Sequence, residues 1–346
     1  MIKRKKDKQN NNPFYDSTLK KRHASAARFK KFTLTSLIFS IAFLSFFLFD
    51  IVGKAIPAFK IAYIQTEVTF NEKSLNDTRF AVDKKYRDLV SRAWLRDMPS
   101  LLKNNPNFMN TTITTWVLAD DQVDQYLKGH HHKLKENEIT FVEDLLSQGL
   151  IENKFNTIFF TKGDSKIPEY AGLYSAIIGS VLTLIITMMV AFPIGVMTAI
   201  YLEEFAGDNK FTRFIEININ NLAAIPSILF GLLGLAIFIN LFGMPRSSPL
   251  VGGLTLSLMT LPIIIVSSRA ALRAVPDSIR QAGYGLGLNK IQVTKDHVLP
   301  LAFPGVLTGS IIGLAHAMGE TAPLIIIGMI AFIPDAPTMV TQAATV

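Results

Sequence analysis

Two titratable side chains stand four residues apart in an otherwise uncharged stretch, His316 and Glu320 of Leu314-Ala-His-Ala-Met-Gly-Glu-Thr-Ala-Pro-Leu324. On a helix that spacing places both on one face, one turn apart. A carboxylate in hydrocarbon is costly unless it is paired or hydrated, so such a residue is a candidate for function. Histidine beside it is a weak, pH-dependent cation, and Thr321 follows the carboxylate directly. His316, Glu320 and Thr321 are the candidates for a substrate path. Gly319 and Pro323 predict a loosened helix around the glutamate, as occurs where backbone lines a cavity. Two other readings of the pair stand beside this one. It could be an interhelical hydrogen bond that only holds a bundle together, or the acid and base of an intramembrane enzyme, for which no second nucleophile or metal set accompanies it.

The second candidate is a loop, Ser278 to Pro300, charged and glycine-bearing between two apolar segments. Ala282, Gly283, Gly285 and Gly287 are closely spaced on what reads as a short helix that then turns sharply. Small side chains let another surface approach the backbone, and Gly287 can take the left-handed conformation that reverses the chain. Leu299-Pro300 is expected to open the next helix, since proline is tolerated in a first turn. A third cluster, Gly129-His-His-His132, invites a metal reading. Three consecutive histidines cannot all face one ion on a regular element, so a solvated loop is the better reading.

These residues must be held by membrane helices. Uncharged runs cover Phe32 to Phe49, Tyr170 to Leu202, Ile217 to Pro245, Ser247 to Ser268, and Val298 to Ala315, the last continuing past His316 and Glu320 to Ile333. Each reaches the roughly 18–20 residues a helix needs to cross about 30 Å of hydrocarbon. The expected organisation is a basic cytoplasmic tail over 1–31, a first transmembrane helix over 32–52, an extracytoplasmic segment over 53–169, and a core over 170–346. The core spans are placed at about 170–202, 217–243, 249–270 and 300–333, and the core is expected to lack its last helix and to continue past Val346.

The first 31 residues hold eleven Lys or Arg against Asp7 and Asp16, and such charge stays cytoplasmic, which places the amino terminus inside. The flanks and length of the first apolar run do not match a cleaved signal. The formal charge of +8 is topology, and no nucleic-acid partner is expected. Without cysteine there is neither disulfide nor thiol chemistry. Segment 53–169 alternates like a strand at Thr111 to Leu118 and carries helical charge patterns near Asp83 to Arg96. It is expected to fold as a small α+β domain inserted into an all-α polytopic membrane protein. Gly231 and Gly234 offer a flat surface for close helix packing in lipid.

Several motifs occur in the same order as in the permease subunits of phosphate-specific ABC importers. Gln281-Ala282-Gly283, Gly287 and His297-Val298-Leu299-Pro300 resemble the EAA loop of ABC-importer permeases, with glutamine for the usual glutamate and histidine for the usual isoleucine. Gly319-Glu-Thr-Ala-Pro-Leu324 after Leu307-Thr-Gly309, Ala223 to Gly234 and Pro249 to Leu256 resemble the phosphate branch in particular, with His316 where arginine is usual. The resemblance covers roughly Tyr170 to Ile333. It implies a type I permease bundle in a bacterial cytoplasmic membrane, with Gln281, Ala282, Gly283, Gly287 and Pro300 in the ATPase-coupling loop. It also implies an ATPase subunit dimer, a homologous second permease and a periplasmic phosphate-binding protein as partners, with membrane lipid around the bundle and no cofactor or metal in it. No Gly-x4-Gly-Lys-Ser/Thr phosphate cradle occurs in the chain, so ATP hydrolysis is expected on a partner and this chain is not expected to be an enzyme. A permease for sulfate or molybdate, or a membrane sensor with an external ligand domain, are the alternatives.

Overall fold

The computed structural model describes residues 18–104, 106–329 and 332–342. The first seventeen residues of the expected tail, the join of the last span at 330–331 and the final four residues lie outside the described residues. The chain divides into two compact units, Met1–Lys60 and Ile61–Val346.

Among its described residues, the first unit is mainly one long helix, α1 (Leu19–Ala55). It begins well before the expected 32–52, because the basic residues preceding the apolar run are themselves good helix formers. Its apolar side chains are exposed on every side, Phe39, Phe46 and Phe49 among them. That suits a helix surrounded by lipid rather than one packed in a core.

The second unit opens with the small α+β segment. Strand β1 (Lys60–Phe70) is central in a three-stranded sheet of order β2-β1-β3. It pairs antiparallel with β2 (Thr111–Leu118), from Tyr63 opposite Leu118 to Phe70 opposite Thr111. Between them lies α2 (Arg92–Arg96), capped by Ser91. After β2 come α3 (Asp121–Leu127), α4 (Glu136–Ser147) and β3 (Ile151–Phe155). The apolar face of β1, with Ile64 and Val68 fully buried, meets Leu89, Val123, Val142 and Leu145 on one side and Val82, Leu95 and Met98 on the other. The histidine run is loop, with the His132 ring edge-on to Tyr126 at 5.0 Å.

The remaining chain is a helical bundle. Helix α5 (Tyr174–Phe205) runs on through Pro193. At 1.5 Å per residue it is about 48 Å long, more than a bilayer core requires. The expected straight span at 217–243 is instead a bent pair, α6 (Lys210–Ala223) and α7 (Ser227–Leu241), at 104° to each other. The break falls at Ala224-Ile225-Pro226, where proline removes a backbone donor and disfavours the helical conformation at Ile225. Helix α8 (Pro249–Arg273) is the best-buried span. Short α9 (Asp277–Gly285) follows, and α10 (Lys290–Met318) starts earlier than expected. Its start is set by Asn289, whose side chain accepts from the Gln292 N–H while Gln292 accepts from the Asn289 N–H. Pro300 therefore lies within the helix, behind a π-turn at Val293–Val298. Such turns accommodate a missing backbone bond. Helix α11 (Ala322–Ile327) ends at Gly328, which has φ +91°.

The bundle packs through small residues. A Cβ on Gly253 would lie 2.6 Å from Ile186 of α5, and one on Gly231 would lie 2.8 Å from Pro323 of α11. One on Gly234 would collide with the Thr255 side chain. Several buried hydroxyls are satisfied within their own helices: Thr183 donates to Gly179 O, Thr255 to Val251 O and Ser310 to Val306 O. This is how a polar atom is tolerated on a buried apolar helix.

The α+β segment joins the bundle at the Tyr174 end of α5. The Asp164 N–H and the Ser175 hydroxyl both donate to Ile333 O, and the Ser91 hydroxyl donates to the buried Glu169 carboxylate at 2.7 Å. Helix α9 packs at the other end of α5. The two regions are thus a helix length apart.

Candidate functional site

Helix α10 ends at Met318, and Gly319 to Thr321 form a short non-helical break before α11. His316 and Glu320 still meet across it, Nε2 to Oε1 at 3.4 Å. The histidine side chain is 49% exposed and the glutamate 20%. Glu320 and Thr321 line a cavity of about 460 Å³ together with Thr183, Leu256, Leu324 and Met329, whereas His316 is not among its lining residues. The break therefore does two things. It frees backbone groups inside the bundle and it aims a carboxylate into a mostly apolar cavity bounded by α5, α8 and α11. Of the three path candidates, two share the cavity and the third pairs with one of them.

The loop candidates separate differently. Gln281, Ala282 and Gly287 are exposed, and so is Pro300. Gly287 has φ +82°, the left-handed turn expected of it, with nothing within 4 Å of where a Cβ would stand. Gly283 is buried, and a Cβ there would lie 2.8 Å from Val293. The expectation that it belongs to an outward docking face is corrected: it lets α9 lie close against the start of α10. The outward face instead carries Tyr284, Leu286 and, across the turn, Ile291, with Leu286 79% exposed.

What holds α9 in place was not visible in the loop. The Arg280 guanidinium, 16% exposed, donates to the Glu204 carboxylate at 2.7 Å, and Glu204 is 5% exposed. It also donates to Leu272 O at 3.0 Å, to Val275 O at 2.8 Å and to Asp277 Oδ1 at 3.2 Å. Leu272 O lies near the carboxyl end of α8 and also accepts from the Val275 N–H, and Val275 itself lies just beyond that helix. One side chain thus ties α9 to the ends of α5 and α8, and the hydrogen bond with Glu204 holds its pKa above the ordinary value. Next to it, Arg273 donates to Glu203 at 2.7 Å, and Arg269 bridges Glu203 and Glu216. Glu203 and Glu204 lie within α5, which continues through Phe205, and the connection to α6 is only 206–209. The available signal was two adjacent acids closing an apolar run on the same side as Arg269, Arg273 and Arg280.

Known proteins resemble both parts of the chain. Residues 191–339 match the family of binding-protein-dependent transport system inner membrane components. Residues 16–99 and 76–136 match a domain of unknown function, DUF3333. The phosphate transport system permease protein PstA of Mycobacterium leprae (strain TN) is 36% identical over 160 residues, covering 46% of this chain and 52% of that protein. PstA of Yersinia pestis is 36% identical over 157 residues, 44% of this chain and 52% of that one. The probable ABC transporter permease protein YqgH of Bacillus subtilis (strain 168) is 30% identical over 202 residues, 57% and 65% respectively. The chain thus spans about half the length of the PstA proteins it matches. Among solved structures, an inward-facing MetNI methionine ABC transporter aligns with a TM-score of 0.37 and 20% identity over 42% of this chain and 70% of that chain. The bundle that carries α9 and the His316–Glu320 break is thus similar in sequence to binding-protein-dependent transport system inner membrane components and to the PstA phosphate transport permeases.

Proposed function

We propose that this chain is a transmembrane permease subunit of an ATP-driven inorganic phosphate importer. The observation that carries the reading is α9: a short helix with an exposed apolar face, locked by Arg280 to the ends of two membrane helices, in a region 36% identical to PstA. An ATPase dimer would seat on the face bearing Gln281, Ala282, Tyr284 and Leu286. Closure of that dimer would displace α9, and Arg280 would pass the movement to α5 and α8 as a rigid-body shift rather than a local bend. Alternating access would follow, with a homologous permease completing the path and a phosphate-binding protein delivering from the side of the α+β segment. The amino terminus and α9 would then be cytoplasmic, in keeping with the charge around them.

Glu320, Thr321 and His316 are the path residues in this reading. The carboxylate is unsuited to hold phosphate tightly by itself. Paired with a cation it would gate the anion, and weak holding favours release. His316→Arg would supply a permanent cation and should be tolerated. Glu320→Gln keeps shape and removes charge. Labelled-phosphate uptake in cells, normalised to permease level, should fall at least tenfold in that variant, about 1.4 kcal/mol in the limiting step. Unimpaired uptake would leave the pair a packing contact only. Competition by sulfate or molybdate at the same concentration as phosphate would move the substrate assignment to another oxyanion.

A further inference from the structure

We infer that the α+β segment carries its own binding cleft for a phosphate-type oxyanion. A cavity of about 780 Å³ opens between the stretch from Asn76 to Phe80, the turn at Lys84 and α2. Five cationic side chains line it: Arg79, Lys84, Arg87, Arg92 and Arg96. Asp77 and Asp88 line it too, but Asp77 is taken by Arg79, whose Nε and Nη2 donate to it at 3.0 and 2.8 Å. Among the described residues, Lys84, Arg87, Arg92 and Arg96 make no ion pair and no side-chain hydrogen bond.

Arg87 is the informative member. It is half-buried, and its guanidinium carbon lies 5.0 Å from the Phe80 ring centroid. Its Nε is shielded from water with no hydrogen-bond partner among the described residues. That atom is closed to a ligand as well, whereas Nη1 and Nη2 are neither shielded nor hydrogen-bonded among the described residues. Stacking on an aromatic face fixes the plane of the guanidinium, so the fork is already oriented for a ligand. Four mutually repelling cations with a pre-set fork match a tetrahedral oxyanion, which accepts two parallel N–H bonds from one arginine and point charge from the others. The volume exceeds that of a bare phosphate, so the cleft admits a hydrated ion or a larger group bearing a phosphate. The shared chemistry is the phosphate group, free or on a lipid headgroup. The helix bearing Arg92 and Arg96 is anchored through Ser91 to Glu169, just before α5, so the cleft is built on a part of the segment that is tied to the bundle. The inference rests on the cleft's own side chains and not on the transport reading.

The test is equilibrium binding of labelled inorganic phosphate to the full-length chain in phosphatidylcholine nanodiscs. Saturable binding is expected, displaced by sulfate but not by chloride at equal ionic strength, and weakened by added salt because most of the cations are exposed. Arg92→Gln with Arg96→Gln changes only exposed side chains, and with Arg87→Gln added the affinity should drop at least tenfold. Arg87→Lys keeps the charge and removes the fork, so it should show a smaller loss with the fold intact. Nanodiscs containing phosphatidylglycerol distinguish the source: suppressed phosphate binding identifies the headgroup as the resident ligand, and unchanged binding identifies the free ion. No saturable binding, or binding equal in wild type and the triple variant, overturns the inference. Binding lost in Glu320→Gln but kept in the triple variant also overturns it, by placing the ion in the bundle, while uptake results bear only on the transport reading.

Discussion

Arginines gather at two places in the second unit, a helix length apart, and are treated in opposite ways. Near α9, Arg269, Arg273 and Arg280 each meet a carboxylate, and Arg280 also satisfies two carbonyls. Beside α2, Lys84, Arg87, Arg92 and Arg96 meet none among the described residues. A charge whose donors are all used by the chain has nothing left to offer a ligand, and its role is mechanical. A charge with unused donors in a cleft is the reverse. The same residue type therefore acts as a joint in one region and as a receptor in the other, and burial with pairing is what separates the two.

The sharpest way to break this contrast is to remove one partner of the joint. Arg280→Met should leave the buried Glu204 carboxylate uncompensated and destabilise the bundle by about 3–5 kcal/mol, read by thermal unfolding of the purified chain. Adding Glu204→Gln should restore much of the loss, because no buried charge is then left alone. If Arg280→Met melts like wild type, the joint is not mechanical. The corresponding removal of Arg92 or Arg96 should leave stability within about 0.5 kcal/mol, as for surface positions generally.

A smaller effect is expected at the turn after α9. Gly287 holds φ +82° with open space around it, so Gly287→Ala should cost about 1–2 kcal/mol through backbone strain alone. Gly285→Ala, at a helical position with equally open space, should instead gain up to about 1 kcal/mol. Opposite signs in the two melts, with loss of ATPase co-purification only for Gly287→Ala, would show that the direction of the turn matters to docking. Equal shifts would show that it does not.

A pH-dependent effect is expected at Asp120, whose pKa burial pushes up to about 7, with the neighbouring Asp121 carboxyl and the Glu169 charge adding to the shift. The folded state then binds a proton more tightly than the unfolded chain does. Stability from this group is present at low pH and is lost as pH rises from about 4 to about 7, the opposite of a salt-bridged aspartate. Asp120 also caps α3 by accepting from the Gln122 N–H, a role asparagine performs equally well. Asp120→Asn should therefore raise the melting temperature by a few degrees at pH 8 and flatten the dependence between pH 4 and 7, followed by thermal melts across that range. A profile unchanged from wild type would mean that Asp120 ionises like an exposed carboxylate.

Much of the fold was legible because it depends on terms that act over a few residues. The runs that became α1, α5 and α8 were readable from hydrophobic length, and Thr111 to Leu118 from alternation and β-branching. The left-handed turn at Gly287 and the interruption beside Glu320 followed from glycine and proline in the chain. The start of α10 was also local, but the Asn289–Gln292 capping box outweighed the more obvious Leu299-Pro300.

Other features depend on which helices become neighbours, and no local pattern carries that. Arg280 and Glu204 are 76 residues apart, and read singly each is a solvated charge near a membrane surface. Gly283 looked like its outward neighbours until α10 packed against it. The 104° turn between α6 and α7 was hidden because an uncharged run looks the same straight or bent, although Pro226 marked the place. Sequence by itself determined which runs are long and apolar enough to cross hydrocarbon and where glycine or proline interrupts a helix, since transfer free energy and backbone sterics belong to each residue. Tertiary structure alone decided which charges are closed and which are left open, since the worth of a charge is set by the partner and the dielectric that folding brings to it.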